Sequence, residues 1–391
     1  MLVFIAQTAL AADFHVGVGQ PYATIQAAVT ASADGDRIVI HAGTYVEAVD
    51  TTKILDFVGA AGGGAVWTPP ANARALSAHN GGSIDGLHFV SDHYHDCAMI
   101  EGPPGVVVEV SNAVFENCRD GMRAEADVDL VVTNSLFRDS VWGIVGSSSG
   151  EVIVRDSGFL RNYVAASTDS HVAELSGCDF RYNDAGFFGE IKDAAVIERN
   201  YFCGNDGGAL NFELRTTNGA PDTWIRDNVF VDNVNTNSYG AGGLDITAYS
   251  CADFNIHILN NTFAGNGGAY AAHAFVPTTG TDLWNNGFGR GRNRAPGIKA
   301  GNYIFACPVT TRGDYNLFFR NDGGHLDNLT PAQLGPNTLW GVPPMVTSYT
   351  RNQICDDDLS PLPGSPLIDG GDPASPTDPD GSRADIGSRY P

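Results

Sequence analysis

A phenylalanine returns along this chain at nearly regular steps, in a phrase close to Asn-x-x-Phe. The series runs Phe89, Phe115, Phe137, Phe159, Phe180, Phe202, Phe230, Phe263, Phe288 and Phe318. Its first steps are 26, 22, 22, 21 and 22 residues, and its later ones 28, 33, 25 and 30. A period near 22 that tolerates insertions predicts a solenoid, with each repeat forming one coil stacked on the last. A globular fold has no reason to keep such a period. The 47 glycines suit many short strands and turns, and helical runs are scarce.

Two rows of asparagine accompany the phenylalanines. Asn162, Asn183, Asn205, Asn233 and Asn266 end the turn after the strand that carries Phe. Asparagine accepts left-handed backbone geometry, so these positions are expected at sharp corners. Asn200, Asn228, Asn261, Asn286 and Asn316 lie two residues before a Phe and are expected to stack as an amide ladder. The rings themselves are expected to stack inside as an aromatic column.

Both ends of the repeat read differently. In PYATIQAAVTASA, residues 21–33, Ile25, Ala28 and Val29 share one helical face. Asp34-Gly35-Asp36 then turns into the strand Arg37–Ile40. The segment TIQAAVTASADGDRIVIHAGTYVEAV resembles the opening of right-handed parallel β-helix proteins of the pectate-lyase-like superfamily. The resemblance implies an all-β, single-stranded parallel β-helix with an N-terminal capping helix and an irregular C-terminal cap. The tail segments SPLIDGG and DPDGSRADIG are similar to the terminal segments of secreted bacterial β-helix proteins. The expected divisions are a signal-peptide remnant at 1–11, a cap with the first coils at 12–82, coils at 83–320 and a closing tail at 321–391. Asp378-Pro379-Asp380-Gly381 lacks the spacing of an EF-hand loop and reads as a turn.

Charge narrows the partners. The net charge is −23, with three lysines against nineteen arginines. Such a surface repels nucleic acid, whose binding rests on basic contacts to phosphate. Residues 1–14 give a weak export signal ending in Ala9-Leu10-Ala11. No run reaches the ~18 apolar residues of a membrane span. The chain is therefore expected to be a secreted, periplasmic or cell-surface monomer. Seven cysteines without a CxxC argue against a zinc site. Cys178 and Cys203 read as packed thiols, and Cys251–Cys307 is one candidate disulfide.

Strand alternation then assigns faces. If Phe187, Gly189 and Ile191 point inward, Phe188, Glu190 and Lys192 point outward. By the same rule Asn211, Glu213, Arg215, Asp245, Tyr249 and His273 point outward. Long turns at 216–222, 235–243 and 277–282 would wall a groove beside them. Three readings are open. In a polysaccharide lyase acting on a uronate, Glu213 and Asp245 would hold Ca²⁺. Lys192 or Arg215 would then be the base, with Tyr249 or His273 protonating the leaving oxygen. Phe188, Glu190 and Asn211 would hold the sugar. In a glycoside hydrolase, Glu190, Glu213 and Asp245 would supply the acid and base. In a non-catalytic glycan-binding or adhesive protein, the charges would be ion pairs on a solvated sheet. The polygalacturonase pattern of paired Asp followed by GHG is absent. A second cluster, His88, Asp92, His93, His95 and Asp96, is a candidate metal site.

Overall fold

The chain winds into a β-solenoid of about 12 turns whose wall strands are all parallel. The structure is a computed structural model that describes residues 11–146, 150–215, 222–235, 241–248, 255–267, 272–277, 280–291, 296–300, 310–350 and 352–388. One flank is a 13-stranded sheet made of one short strand per coil. The remaining walls join as a 24-stranded sheet. A typical coil runs through the strands Ala185–Ile191, Ala195–Glu198 and Tyr201–Cys203. The next coil repeats them as Leu210–Leu214, Asp222–Arg226 and Val229–Val231.

The phenylalanines sit in register on the 13-stranded flank, as in Phe180↔Phe202 and Phe202↔Phe230. Their rings form one continuous stack with neighbouring centroids 4.5–5.1 Å apart from Phe89 to Phe318. Trp67 and Trp340 extend it at either end. Each stacked pair contributes about 0.5–1.5 kcal/mol beyond its buried area.

Both asparagine rows are ladders. Asn162, Asn183, Asn205, Asn233 and Asn266 pass side-chain hydrogen bonds along the axis, each Nδ2 donating to the next Oδ1. Asn200, Asn228, Asn261, Asn286 and Asn316 do the same. The first row does not take the left-handed backbone expected of it. That conformation falls one position earlier, at Arg161, Tyr182 and Asp232, and before the second row at Arg199, Asp227, Asn260 and Asn285. The cause is hydrogen bonding: a buried amide must donate and accept, so the ladder claims the asparagine and the corner falls to its neighbour.

The helix Ile25–Ala31 closes the N-terminal end with Ile25, Ala28 and Val29 buried. The following coil holds it at both ends. The Glu47 carboxylate accepts from the N–H groups of Ile25 and Gln26 at 3.0 and 3.1 Å. The Lys53 ammonium donates to the carbonyls of Val29 and Thr30 at 2.7 and 3.0 Å. Opposite charges thus meet the two ends of the helix dipole. At the other end Leu334 is buried and Trp340 covers the last ring.

The tail does more than close that end. A small antiparallel pair, Val346–Ser348 with Asp358–Pro361, lies back along the 13-stranded flank. The disulfide Cys203–Cys355 anchors it, and Asp232 accepts from Tyr349 Oη at 2.8 Å and from the Gln353 N–H at 3.0 Å. Cys97–Cys118 forms a second disulfide between adjacent coils. Cys203 is therefore a crosslink, not the packed thiol expected; its partner lies 152 residues away, in a tail the repeat does not predict. Cys178 is a buried free thiol. Cys251 and Cys307 lie outside the described residues, as do residues 1–10 of the signal-peptide remnant expected at 1–11. Among the described residues no helix is long and apolar enough to cross a membrane.

Candidate functional site

The outward face of the strands Val164–Ser176, Ala185–Ile191, Leu210–Leu214 and Ala241–Ala248 carries the polar cluster. Inward positions alternate with it: Leu210, Phe212 and Leu214 are buried, while Asn211 and Glu213 are half-buried. Two outward columns result. One stacks Ser167, Phe188, Asn211 and Asp245 in register. The other stacks His171, Glu190, Glu213 and Thr247.

The second column is tied together by cations. Lys192 Nζ lies 2.8 Å from Glu190 Oε2. Arg215 Nε lies 2.9 Å from Glu190 Oε1, and its Nη2 lies 2.8 Å from Glu213 Oε2. One guanidinium thus bridges two stacked carboxylates that would otherwise repel. Alternation along the strands brings these four side chains together. Glu190 is only 6% exposed, because neighbours on both sides cover it.

His171 completes this end of the cluster, and nothing in the repeat points to it. It sits beyond an irregularity in strand pairing between Ser167 and His171, which breaks the simple alternation. Its Nδ1 lies 3.2 Å from the Lys192 N–H and its Nε2 3.1 Å from the Ala194 carbonyl oxygen. Burial pushes the imidazole below its usual range.

Asp245 differs from the other carboxylates. It lies on the outward register yet is 4% exposed. It accepts from the Ala241 N–H at 3.1 Å and from Thr247 Oγ1 at 3.2 Å. Burial pushes its carboxyl up to about 6, against the pull of those two hydrogen bonds. Asp245 and Glu213 belong to neighbouring strands but different columns, and Arg215 occupies Glu213. His273 lies in the strand Ala272–Val276, but its side chain is outside the described residues, and Tyr249 lies outside them altogether.

The histidine-rich segment does not gather into one site. His88 pairs with Glu116 at 3.1 Å and His95 with Asp92 at 2.7 Å. Asp96 pairs with Arg74 and Arg119 at 2.7 and 2.8 Å. His93 and His95 follow the strand His88–Val90 rather than lying in it, so period-two alternation does not align their rings. Among the described residues no three His, Cys, Asp or Glu side chains are placed to hold a metal ion.

Comparison with known proteins bears on the whole architecture. A crystal structure of the pectate lyase Pel9A matches with a TM-score of 0.50 at 12% identity, covering 97% of this chain and 96% of that one. A rhamnogalacturonan lyase matches with a TM-score of 0.44 at 12% identity, covering 90% and 95%. The A-module of mannuronan C-5 epimerase AlgE4 from Azotobacter vinelandii matches with a TM-score of 0.39 at 15% identity, covering 82% and 92%. At these identities the likeness to the pectate lyase is one of fold. No curated protein sequence matches the chain. The sequence model of the family described as "Periplasmic copper-binding protein (NosD)" matches residues 31–256. Two disulfides also fit a compartment outside the cytoplasm. With more than half of its length matched, this exported parallel β-helix protein belongs to the NosD family.

Proposed function

We propose that this chain is an exported carbohydrate-active β-helix that handles a saccharide on the outward face of residues 188–247, using carboxyl groups for acid–base work. Asp245 carries the reading. A carboxyl raised to about 6 holds its proton into mildly acidic pH, where an ordinary aspartate has lost it, and can donate it there, whereas Glu190 and Glu213 are ion-paired. Carboxyl groups in environments that differ this much suit the two roles of glycoside hydrolysis. Strand spacing puts the Cα atoms of Asp245 and Glu213 roughly 8 Å apart, within reach of the roughly 6.5–9.5 Å carboxyl separation of inverting enzymes. Asp245 would protonate the glycosidic oxygen, and Glu213 would take a proton from the attacking water. Phe188 and Asn211, in the same column as Asp245, would meet the sugar ring and its hydroxyls.

The elimination reading asks more of the cluster. A base at Lys192 or Arg215 would have to give up its ion pair with Glu190. Ca²⁺ at Glu213 and Asp245 would have to displace Arg215 from one and desolvate the other. Copper, which the family description names, prefers thiolate, thioether and imidazole donors. Among the described residues four cysteines are disulfide-bonded, and burial pushes the thiol of Cys178 up to about 12. The sulfur of Met99 faces Arg74 at 2.9 Å. His15 Nδ1 and His41 Nε2 approach to 3.0 Å, but among the described residues no third His, Cys, Asp or Glu joins them, so these residues do not complete a copper site.

The test is incubation with panels of neutral and uronate polysaccharides. Release of reducing ends without absorbance near ~235 nm supports hydrolysis. Unsaturated product would replace it with elimination. Binding without turnover would leave a glycan-binding module. In the hydrolytic case Asp245→Asn is expected to lower turnover about 10²–10⁴-fold while saccharide binding is retained.

A further inference from the structure

A cavity of about 400 Å³ lies between the 13-stranded flank and the tail strapped over it. It is separate from the polar cluster described above. Its walls are mainly apolar, with Leu317, Phe319, Val346, Leu359, Leu367 and Ile386 among them. Two glycines make the space. Along one outward column the chain stacks Tyr201, Val229, Thr262, Gly287 and Leu317. Along the next it stacks Cys203, Val231, Ala264, Gly289 and Phe319.

Glycine inside a strand costs stability and usually marks a bulge or a close backbone approach. Neither explains these two. A Cβ built at Gly287 meets nothing within 4 Å, and one at Gly289 meets only the Phe319 carbonyl oxygen at 3.8 Å. Neither backbone is left-handed, so a side chain would fit at both. The sequence keeps open a volume that neighbouring coils fill.

The mouth is cationic. Arg290 and Arg320 stand on stacked coils and line both this cavity and an adjoining hollow shared with Asn321 and Asp322. Arg290 lies over the Tyr349 ring at 5.0 Å and donates to the Tyr349 carbonyl at 3.3 Å. Arg320 lies over the Phe319 ring at 5.1 Å. Among the described residues no carboxylate forms an ion pair with either, although other arginines hold one, as Arg155 does Glu174. Two such guanidiniums are uncommon in a chain of net charge −23.

We infer that this cavity is a binding site for a medium-chain carboxylate, with the apolar tail over Gly287 and Gly289 and the carboxylate between Arg290 and Arg320. The volume falls in the lower part of the roughly 300–1,000 Å³ range of small-molecule sites. Guanidinium forks suit a carboxylate geometrically. The tail makes this site: Val346, Leu359, Leu367 and Ile386 cover a flank that would otherwise be open sheet.

The experiment is calorimetric titration of the full chain with decanoate and, in parallel, with decanol. Saturable one-site binding of decanoate is expected, with decanol about tenfold weaker or more, since a charge-assisted hydrogen bond is lost. Gly287→Leu is expected to abolish binding without lowering Tm, because it fills the space without straining the backbone. Gly289→Val should repeat the loss if the first variant folds poorly. Arg290→Gln with Arg320→Gln should erase the preference for decanoate over decanol. The inference is overturned if decanoate does not saturate, if both glycine variants bind it as the wild type does, or if decanol binds equally well.

Discussion

Glu190 and Glu213 stand opposite one another on adjacent coils, and the guanidinium of Arg215 bridges them at 2.9 and 2.8 Å. The contact holds two like charges at strand spacing. Arg215→Ala is therefore expected to cost about 1 kcal/mol, kept small because the arginine is more than half exposed. Glu213→Gln in the same chain should recover most of that loss. Urea unfolding of the single and double variants measures the coupling.

Asp245 makes stability depend on pH in the sense opposite to a salt-bridged carboxylate. Its folded-state value of about 6 lies above the usual 3.8, so the folded chain binds the proton more tightly. Its contribution is full below pH ~4 and is lost as pH rises to ~6. The difference is on the order of 3 kcal/mol. Asp245→Asn should thus be more stable than the wild type at pH 7.5, with the gap closing at pH 4. Equal stability gaps at both values would show that burial does not act on this carboxyl.

The ladders predict a position-dependent cost. Asn205 accepts from the N–H and the Nδ2 of Asn183 and donates to the carbonyl of Phe180 and to Asn233. Asn205→Ala leaves buried donors without an acceptor and should cost about 1–3 kcal/mol. Asn134→Gly, which removes one exposed bond to Asn112 at a left-handed position that glycine accepts, should stay within about 0.5 kcal/mol. Chemical denaturation distinguishes them.

Burial predicts the chemistry of Cys178. Its thiol, pushed up to about 12, is expected to resist iodoacetamide in the folded chain and to react once denaturant is added. Mass spectrometry of the peptide containing Cys178 reads the outcome, and labelling under native conditions would contradict the buried position.

Much of the architecture was legible because it is periodic. A ring every coil allows one arrangement, a stack along an axis, and the column from Phe89 to Phe318 forms as the spacing predicts. The end helix was legible for a similar reason, since Ile25, Ala28 and Val29 share one face. Alternation also put Glu190, Lys192, Glu213 and Arg215 on one surface. The local pattern failed where the chain departs from it. His171 sits past a pairing irregularity, and the left-handed corner moved one residue because the asparagine amide is occupied.

By itself, then, the sequence determined a solenoid, its rows and its outward faces, because these follow from a repeat that each coil reads locally. Only the tertiary structure decided the burial of Asp245, the crosslink between Cys203 and Cys355, and the cavity over Gly287 and Gly289. Each depends on a contact between segments far apart in the chain or on the cover that the fold lays over a face. No periodicity encodes which distant segment will supply that cover.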